Sequence, residues 1–371
     1  MTVSPPSFIT LETESPDLSP FRPVLPLKPG ERVFWGNLHG SSMGLVISAA
    51  ARTHAGPLMV IAADVSSAQR LEYELRFYAA QGCASAAGGR MPGAAAAQDN
   101  NDLPVLTFPD WETLPYDNFS PHQDIISQRL ATLYQLPMLQ RGIVIVPIST
   151  LMHRLPPRNY LEGNSLLLDK GQQLDIDQLR KRLESAGYQC VAQVMEHGEF
   201  AVRGSLLDLY PMGSNLPYRI DLLDNEIDSI RTFDPETQRS VESIERIRLM
   251  PAREFPLDKD AITRFRQAYR TCFEGDPQKS MIYRDVSSGI TPAGIEYYLP
   301  LFFNGTQTLY DYLPSTCLVM IAEGVEQAAT DFWNEIIERH EQRRHDLERP
   351  LLPAATIFLQ ANEVFSAVNQ H

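Results

Sequence analysis

Ile143-Val-Ile-Val-Pro147 contains no polar side chain. A strand with one wet face alternates apolar and polar residues, whereas a strand covered on both faces reads as an unbroken apolar run. Leu58-Met-Val-Ile-Ala62 is a second such run. Thr316-Cys-Leu-Val-Met-Ile321, far along the chain, is a third that suits the same sheet. Around the first two, helical stretches run from Ser42 to Thr53, Ser66 to Tyr78 and Asp124 to Leu139, and another begins at Ser149-Thr150. Ser120-Pro121 near the start of the third suits a cap followed by proline in the first turn. Short strands are expected at Arg32–Trp35 and Val105–Phe108. Continuous apolar strands alternating with helices define an α/β fold with a parallel sheet covered on both faces.

The pattern changes after residue 165. Strands are expected at Ser165–Leu168, Tyr188–Val194, Glu199–Tyr210, Tyr218–Ile230 and Ile244–Met250, with one helix at Asp175–Ala186. Asp224-Asn225 and Asp234-Pro235 supply turn chemistry. This is a small α+β domain with an antiparallel, meandering sheet. From Pro251 onward the chain is mostly helical, at Lys259–Phe273, Glu326–Arg344 and Asn362–Val368. A chain of 371 residues exceeds one ordinary core. The expected division is a flexible leader at 1–26, a first domain at 27–165, an inserted domain at 166–250 and a closing piece at 251–371. Gly82 to Leu103 (GCASAAGGRMPGAAAAQDNNDL) holds few large apolar residues and reads as an insertion in a surface loop.

Composition limits the function classes. Forty-six acidic residues face 32 basic ones, for a net charge of -14. A duplex-binding protein usually carries a basic footprint, so this balance favours a protein partner over DNA. No apolar run reaches the roughly 20 residues of a membrane span. The first residues lack the basic start and apolar stretch of a secretory signal, which makes a cytoplasmic location the expectation. Cys83, Cys190, Cys272 and Cys317 show no CxxC spacing and suggest neither a disulfide frame nor a zinc site.

A parallel α/β start invites a search for nucleotide chemistry. Gly36-Asn-Leu-His-Gly40-Ser-Ser-Met-Gly44 is glycine-rich and precedes a helix, as a phosphate loop does. Met43 stands about where the phosphate-binding lysine belongs, and the Gly-Lys-Ser/Thr ending is missing. A motor ATPase also needs an adjacent acidic pair, and no two acidic residues are adjacent in this chain. The expectation is a degenerate P-loop fold with no catalytic residues and no bound cofactor or metal. A divergent P-loop ATPase and a DNA-binding domain stand as the alternatives. His340-Glu341 with His345 has a spacing of five, which puts the imidazoles about 140° apart on a helix, so they cannot share a metal. His122 beside Asp124 reads as a helix cap or surface group more readily than as an acid–base pair.

The densest unusual segment runs from Met195 to Pro211 (MEHGEFAVRGSLLDLYP). It carries Arg203, and the next strand carries Arg219 in Pro217-Tyr-Arg-Ile-Asp221. Placed on neighbouring strands of one sheet, two guanidinium groups make an anchor for a partner's carboxylates. The alternative is that they pair with acids of their own sheet, such as Asp208, Asp221 or Asp224.

Several long runs resemble the N-terminal, UvrB-like module of the bacterial transcription-repair coupling factors (the Mfd family). They are Trp111 to Arg129 (WETLPYDNFSPHQDIISQR), Gln193 to Gly204 (QVMEHGEFAVRG), Leu216 to Asp221 (LPYRID) and Pro292 to Tyr298 (PAGIEYY). The resemblance covers about Pro23 to the C-terminus and leaves out the Gly/Ala-rich insertion. It implies a degenerate helicase-like domain in two chain segments with a small domain inserted between them. It also implies docking of the excision-repair ATPase UvrA on the inserted domain, through Arg203, Arg219 and Leu223. The third position is often aromatic in the family, so leucine here gives up ring area. On this resemblance, Arg203→Ala or Arg219→Ala would weaken UvrA binding by roughly 1–3 kcal/mol with the fold intact. The family's whole protein is an ATP- and Mg-dependent DNA translocase that displaces stalled RNA polymerase, with polymerase-binding and motor regions expected beyond His371. The segment matching UvrB's DNA-threading hairpin, about Asp110 to Gln123, is short here, so no damage verification is expected.

Overall fold

A computed structural model describes residues 22–28, 30–80 and 103–368 of the chain. Most of the expected leader, and the Gly/Ala-rich insertion up to residue 102, lie outside the described residues. The first stretch holds α1 (Ser42–Thr53), β1 (Leu58–Ala62), α2 (Val65–Ala80), β2 (Val105–Thr107), α3 (Gln123–Gln135), β3 (Ile143–Pro147), α4 (Ile148–Leu151) and α5 (Arg158–Gly163). The second holds β4 (Leu166–Asp169), α6 (Ile176–Ser185), β5 (Gln189–Cys190), β6 (Glu199–Arg203), β7 (Leu206–Leu209), β8 (Tyr218–Leu223), β9 (Glu226–Phe233), β10 (Ser240–Ile244) and β11 (Arg246–Leu249). The third holds α7 (Lys259–Cys272), α8 (Met281–Ser287), β12 (Leu318–Ile321), α9 (Val325–Arg343), α10 (Ala354–Ile357) and α11 (Ala361–Val368).

The apolar runs form the parallel sheet, in the order β12-β1-β3-β2. Every residue of β1 and β3 is buried, because both faces are covered. On one side Val60 and Ile145 pack with Ile47, Ala50, Leu71 and Leu75 of α1 and α2. On the other, Met59, Ile61, Val144 and Val146 join the main core with Leu130 and Trp111. β12 returns from the third stretch and pairs in parallel with β1, Leu318 against Leu58. The sheet is thus assembled from two chain segments that bracket the antiparallel one. The expected strand at Arg32–Trp35 is absent: among the described residues these four pair with no strand, and Phe34 is 88% exposed. Among the described residues no helix is long and apolar enough to cross a membrane.

The antiparallel part forms a six-stranded sheet in the order β10-β9-β8-β7-β6-β5, with only the short β5 parallel to its neighbour. Two segments expected as single strands are hairpins. Glu199–Tyr210 turns back at Gly204-Ser205, where Gly204 takes φ +65, a conformation open to glycine and costly to others. Tyr218–Ile230 turns back at Asp224 and Asn225, with φ 49 and 67, the paired left-handed residues of a tight I′ hairpin. Tyr188–Val194 contributes only β5, and Ile244–Met250 divides. Its second half, β11, leaves the sheet and pairs with β4, Leu249 against Leu166. One face of the six-stranded sheet buries Phe200, Leu207, Leu209, Ile220 and Ile230 with Leu179 and Leu183 of α6 in the main core.

Polar contacts tie the antiparallel sheet to the parallel frame. The backbone N–H of Gly213 donates to Ser127 Oγ at 2.8 Å, and that of Ala252 to the Ala186 carbonyl at 2.9 Å. His197 Nδ1 lies 2.6 Å from Asp124 Oδ1, and its Nε2 lies 2.7 Å from the Ser214 carbonyl. His122 is the N-cap of α3, accepting from the Asp124 N–H. Beneath them Arg129 and Glu254 form an ion pair at 2.6 Å with both side chains buried, the guanidinium lying 4.2 Å from the Phe108 ring centre.

Candidate partner-docking face

The far face of the six-stranded sheet carries the arginines. Strand alternation places Arg203 on β6, Asp208 on β7, Arg219, Asp221 and Leu223 on β8, and Arg231 on β9 on this side. Cross-strand register puts Arg203 opposite Leu206 and Leu206 opposite Asp221 in one row. Asp208, Arg219 and Arg231 follow in the next. Arg203 and Arg219 are therefore not on neighbouring strands, as the unbroken reading of Glu199–Tyr210 required. The Gly204 turn inserts β7 between them and brings Asp208 into the gap.

Asp208 decides what the two arginines do. Its side chain is 1% exposed. Arg219 grips it at both oxygens, Nε to Oδ1 at 2.7 Å and Nη2 to Oδ2 at 2.9 Å. Arg219 also donates through Nη1 to the Gln238 carbonyl at 3.1 Å and lies 4.8 Å from the Phe233 ring centre. The hydrogen bonds to Asp208 raise the Arg219 pKa further above its ordinary value, against some loss from burial. With 15% of its side chain exposed, Arg219 is built into the sheet. Arg203 is different. Its side chain is 48% exposed, its Nη1 lies 3.9 Å from Asp208, and Nη2 donates to the Ala192 carbonyl at 2.8 Å. Leu223, at the tip of the β8–β9 hairpin, is 65% exposed, a large apolar side chain held in water. The structure thus brings the three expected residues to one face and gives them unequal access.

Arg231 was not expected there. In a regular two-residue hairpin Arg219 would face residue 230, and Arg231 would point to the buried side. The register of β8 and β9 shifts between Asp221 and Leu222, so that Arg219 pairs with Arg231. Ile227 and Ile230 are both buried, and that spacing of three in a strand was the available signal of a bulge. Arg231 makes its ion pair with Asp221.

The glycine loop has a different character. It leads into α1 but follows no strand. A Cβ on Gly44 would stand 2.9 Å from Glu74 Oε2 and 3.5 Å from Tyr78 Cδ2, and Tyr78 donates to Ser41 Oγ at 3.2 Å. A carboxylate therefore sits against the helix start, where a phosphate would need positive charge.

A twisted antiparallel sheet set into a two-segment parallel frame is the architecture of a UvrB-like module, and residues 166–255 match the family model described as the UvrB interaction domain. The transcription-repair-coupling factor of Escherichia coli is 46% identical over 347 residues, covering 93% of this chain and 28% of that protein. That of Haemophilus influenzae is 44% identical over the same shares, and that of Bacillus subtilis 30% identical over 60% of this chain and 20% of its own length. The chain belongs to the transcription-repair-coupling factor family, matching its N-terminal UvrB-like module. It spans 28% of the length of the first two of these relatives.

Proposed function

We propose that this module recruits UvrA in transcription-coupled nucleotide excision repair and performs no catalysis itself. The observation that carries the reading is the exposed pair Arg203 and Leu223 on the open face of the sheet, inside the segment that matches the UvrB interaction domain. Arginine is a frequent hot-spot residue, and an exposed leucine on the same face adds apolar area for a partner to cover. Arg219 supports the same face by fixing Asp208. The division into pieces at 27–165, 166–250 and 251–371 belongs to this reading. The carboxylate of Glu74 at the degenerate loop argues against nucleotide, and the acidic balance of the chain argues against DNA as its own ligand. In the longer relatives, an ATP- and Mg-dependent motor that displaces RNA polymerase from DNA would use the remaining length. Calorimetric titration of the chain with UvrA of the same source tests the proposal, with Arg203→Ala/Leu223→Ala as the folded control. Binding lost in the double variant is the expected result. Undiminished binding in that variant, or none in the wild type, removes the proposal.

A further inference from the structure

Arg231 stands directly across from Arg219 on adjacent strands. Like charges in that relation destabilise a sheet. The conflict is relieved by two aspartates, Asp208 taking Arg219 and Asp221 taking Arg231. The two pairs differ in access. Asp208 is sealed at 1% exposure, whereas the Arg231 and Asp221 side chains are 38% and 27% exposed. The Arg231 Nε–H is buried with no hydrogen-bond partner among the described residues, so the 38% of the side chain that is exposed lies at its other atoms. A local arrangement that works against the strand pairing, and is retained by a bulge that turns the residue outward, marks a functional position.

We infer that Arg231 is a direct contact residue for UvrA, and that the surface it meets there bears carboxylates. The inference rests on the docking reading above and adds to it a residue and a chemistry. Arg203, at the end of the Leu206–Asp221 row, and Arg231, at the end of the Asp208–Arg219 row, are both partly exposed cations, and Arg219 is the positioning group on the strand between them. A partner carboxylate at either arginine gains a charge-assisted donor, and Asp221 pairs with Arg231 until one arrives. The central strands of this face thus alternate arginines with aspartates, Arg219 with Asp208 and Arg231 with Asp221, and Glu226 stands across from Leu223 at the hairpin tip.

The test is calorimetry of the wild type, Arg203→Ala, Arg231→Gln, Arg231→Lys and Asp221→Asn/Arg231→Gln against UvrA and against duplex DNA, at low and high salt, with urea melts of each. The double variant leaves no unpaired acid, so it separates contact loss from misfolding. Arg231→Gln and the double variant should each weaken binding about tenfold and flatten its salt dependence. Arg231→Lys should fall between them and the wild type, since an ammonium cannot fork. If Arg203→Ala weakens binding while both Gln variants bind like the wild type, the inference fails and the docking reading stands. If the wild type does not bind UvrA, both fail. If Arg231→Gln abolishes binding to duplex DNA and leaves UvrA binding unchanged, the face belongs to nucleic acid and the inference is overturned.

Discussion

Replacing Arg219 with alanine should injure the fold before it informs on binding. The reason is Asp208, which has 1% of its side chain exposed and both oxygens held by Arg219. Removing one partner of a buried pair typically costs about 3–5 kcal/mol, because the other charge stays buried without compensation. Two features place this site at the lower end. Arg203 Nη1 remains 3.9 Å away, and truncation of a side chain 15% exposed opens a path for water to Asp208. Loss of the contact with Phe233 adds about 0.5–1 kcal/mol. We expect a net loss of about 3 kcal/mol for Arg219→Ala. Arg203→Ala removes one hydrogen bond from a half-exposed side chain and should cost about 0.5–1 kcal/mol. Adding Asp208→Asn to Arg219→Ala removes the stranded charge and should recover about half of the loss. Urea unfolding followed by far-UV circular dichroism measures all three. An Arg219→Ala protein within about 1 kcal/mol of the wild type would refute the reasoning, as would an Asp208→Asn addition that deepens the loss.

Three further outcomes follow from the structure. Burial pushes the Glu296 carboxyl up to about 7 from its usual 4.5, with Ser120 donating to it. Its protonated form is favoured in the fold, so its contribution is full below about 4.5 and is lost as pH rises toward 7. Glu296→Gln should therefore gain on the wild type above neutrality, by on the order of 3 kcal/mol at most, read from thermal melts on either side of pH 7. Burial holds His153 down at about 3, so stability from that residue is present above its ordinary 6.5 and falls as pH drops toward 3. A His153→Phe variant should resist acid better than the wild type in the same melts. Leu223→Phe should leave stability unchanged, since the side chain is 65% exposed, and should tighten UvrA binding by about 1 kcal/mol through added ring area, measured by calorimetry.

Much of the frame was legible because burial on both faces leaves an unmistakable trace. β1 and β3 read as strands from five apolar residues each, and Thr316–Ile321 read as their distant partner. The helices at Lys259–Cys272 and Val325–Arg343 also stood where the periodicity put them. Arg32–Trp35 misled because apolar side chains imitate a strand where, among the described residues, no neighbouring strand pairs with them. At the docking face, residue identity was legible and arrangement was not. Arg203, Arg219 and Leu223 do share a face, but the tight turn at Gly204-Ser205 lay hidden in a run of strand-forming residues. With it went the place of Asp208, hence the difference in access between the two arginines. Arg231 was missed for a related reason. A single extra residue in one strand reverses which face the following side chains take, and composition carries no trace of that reversal beyond the spacing of Ile227 and Ile230.

The most direct test of the docking face is hydroxyl-radical footprinting of the chain alone and saturated with UvrA, read by mass spectrometry at exposed apolar side chains. The expected result is strong protection of Leu223 with Phe34, Tyr73 and Phe77, which are exposed at the glycine loop and on α2, left unchanged. Protection of those aromatic residues with Leu223 still open to oxidation would place the partner on the parallel frame and contradict the central claim.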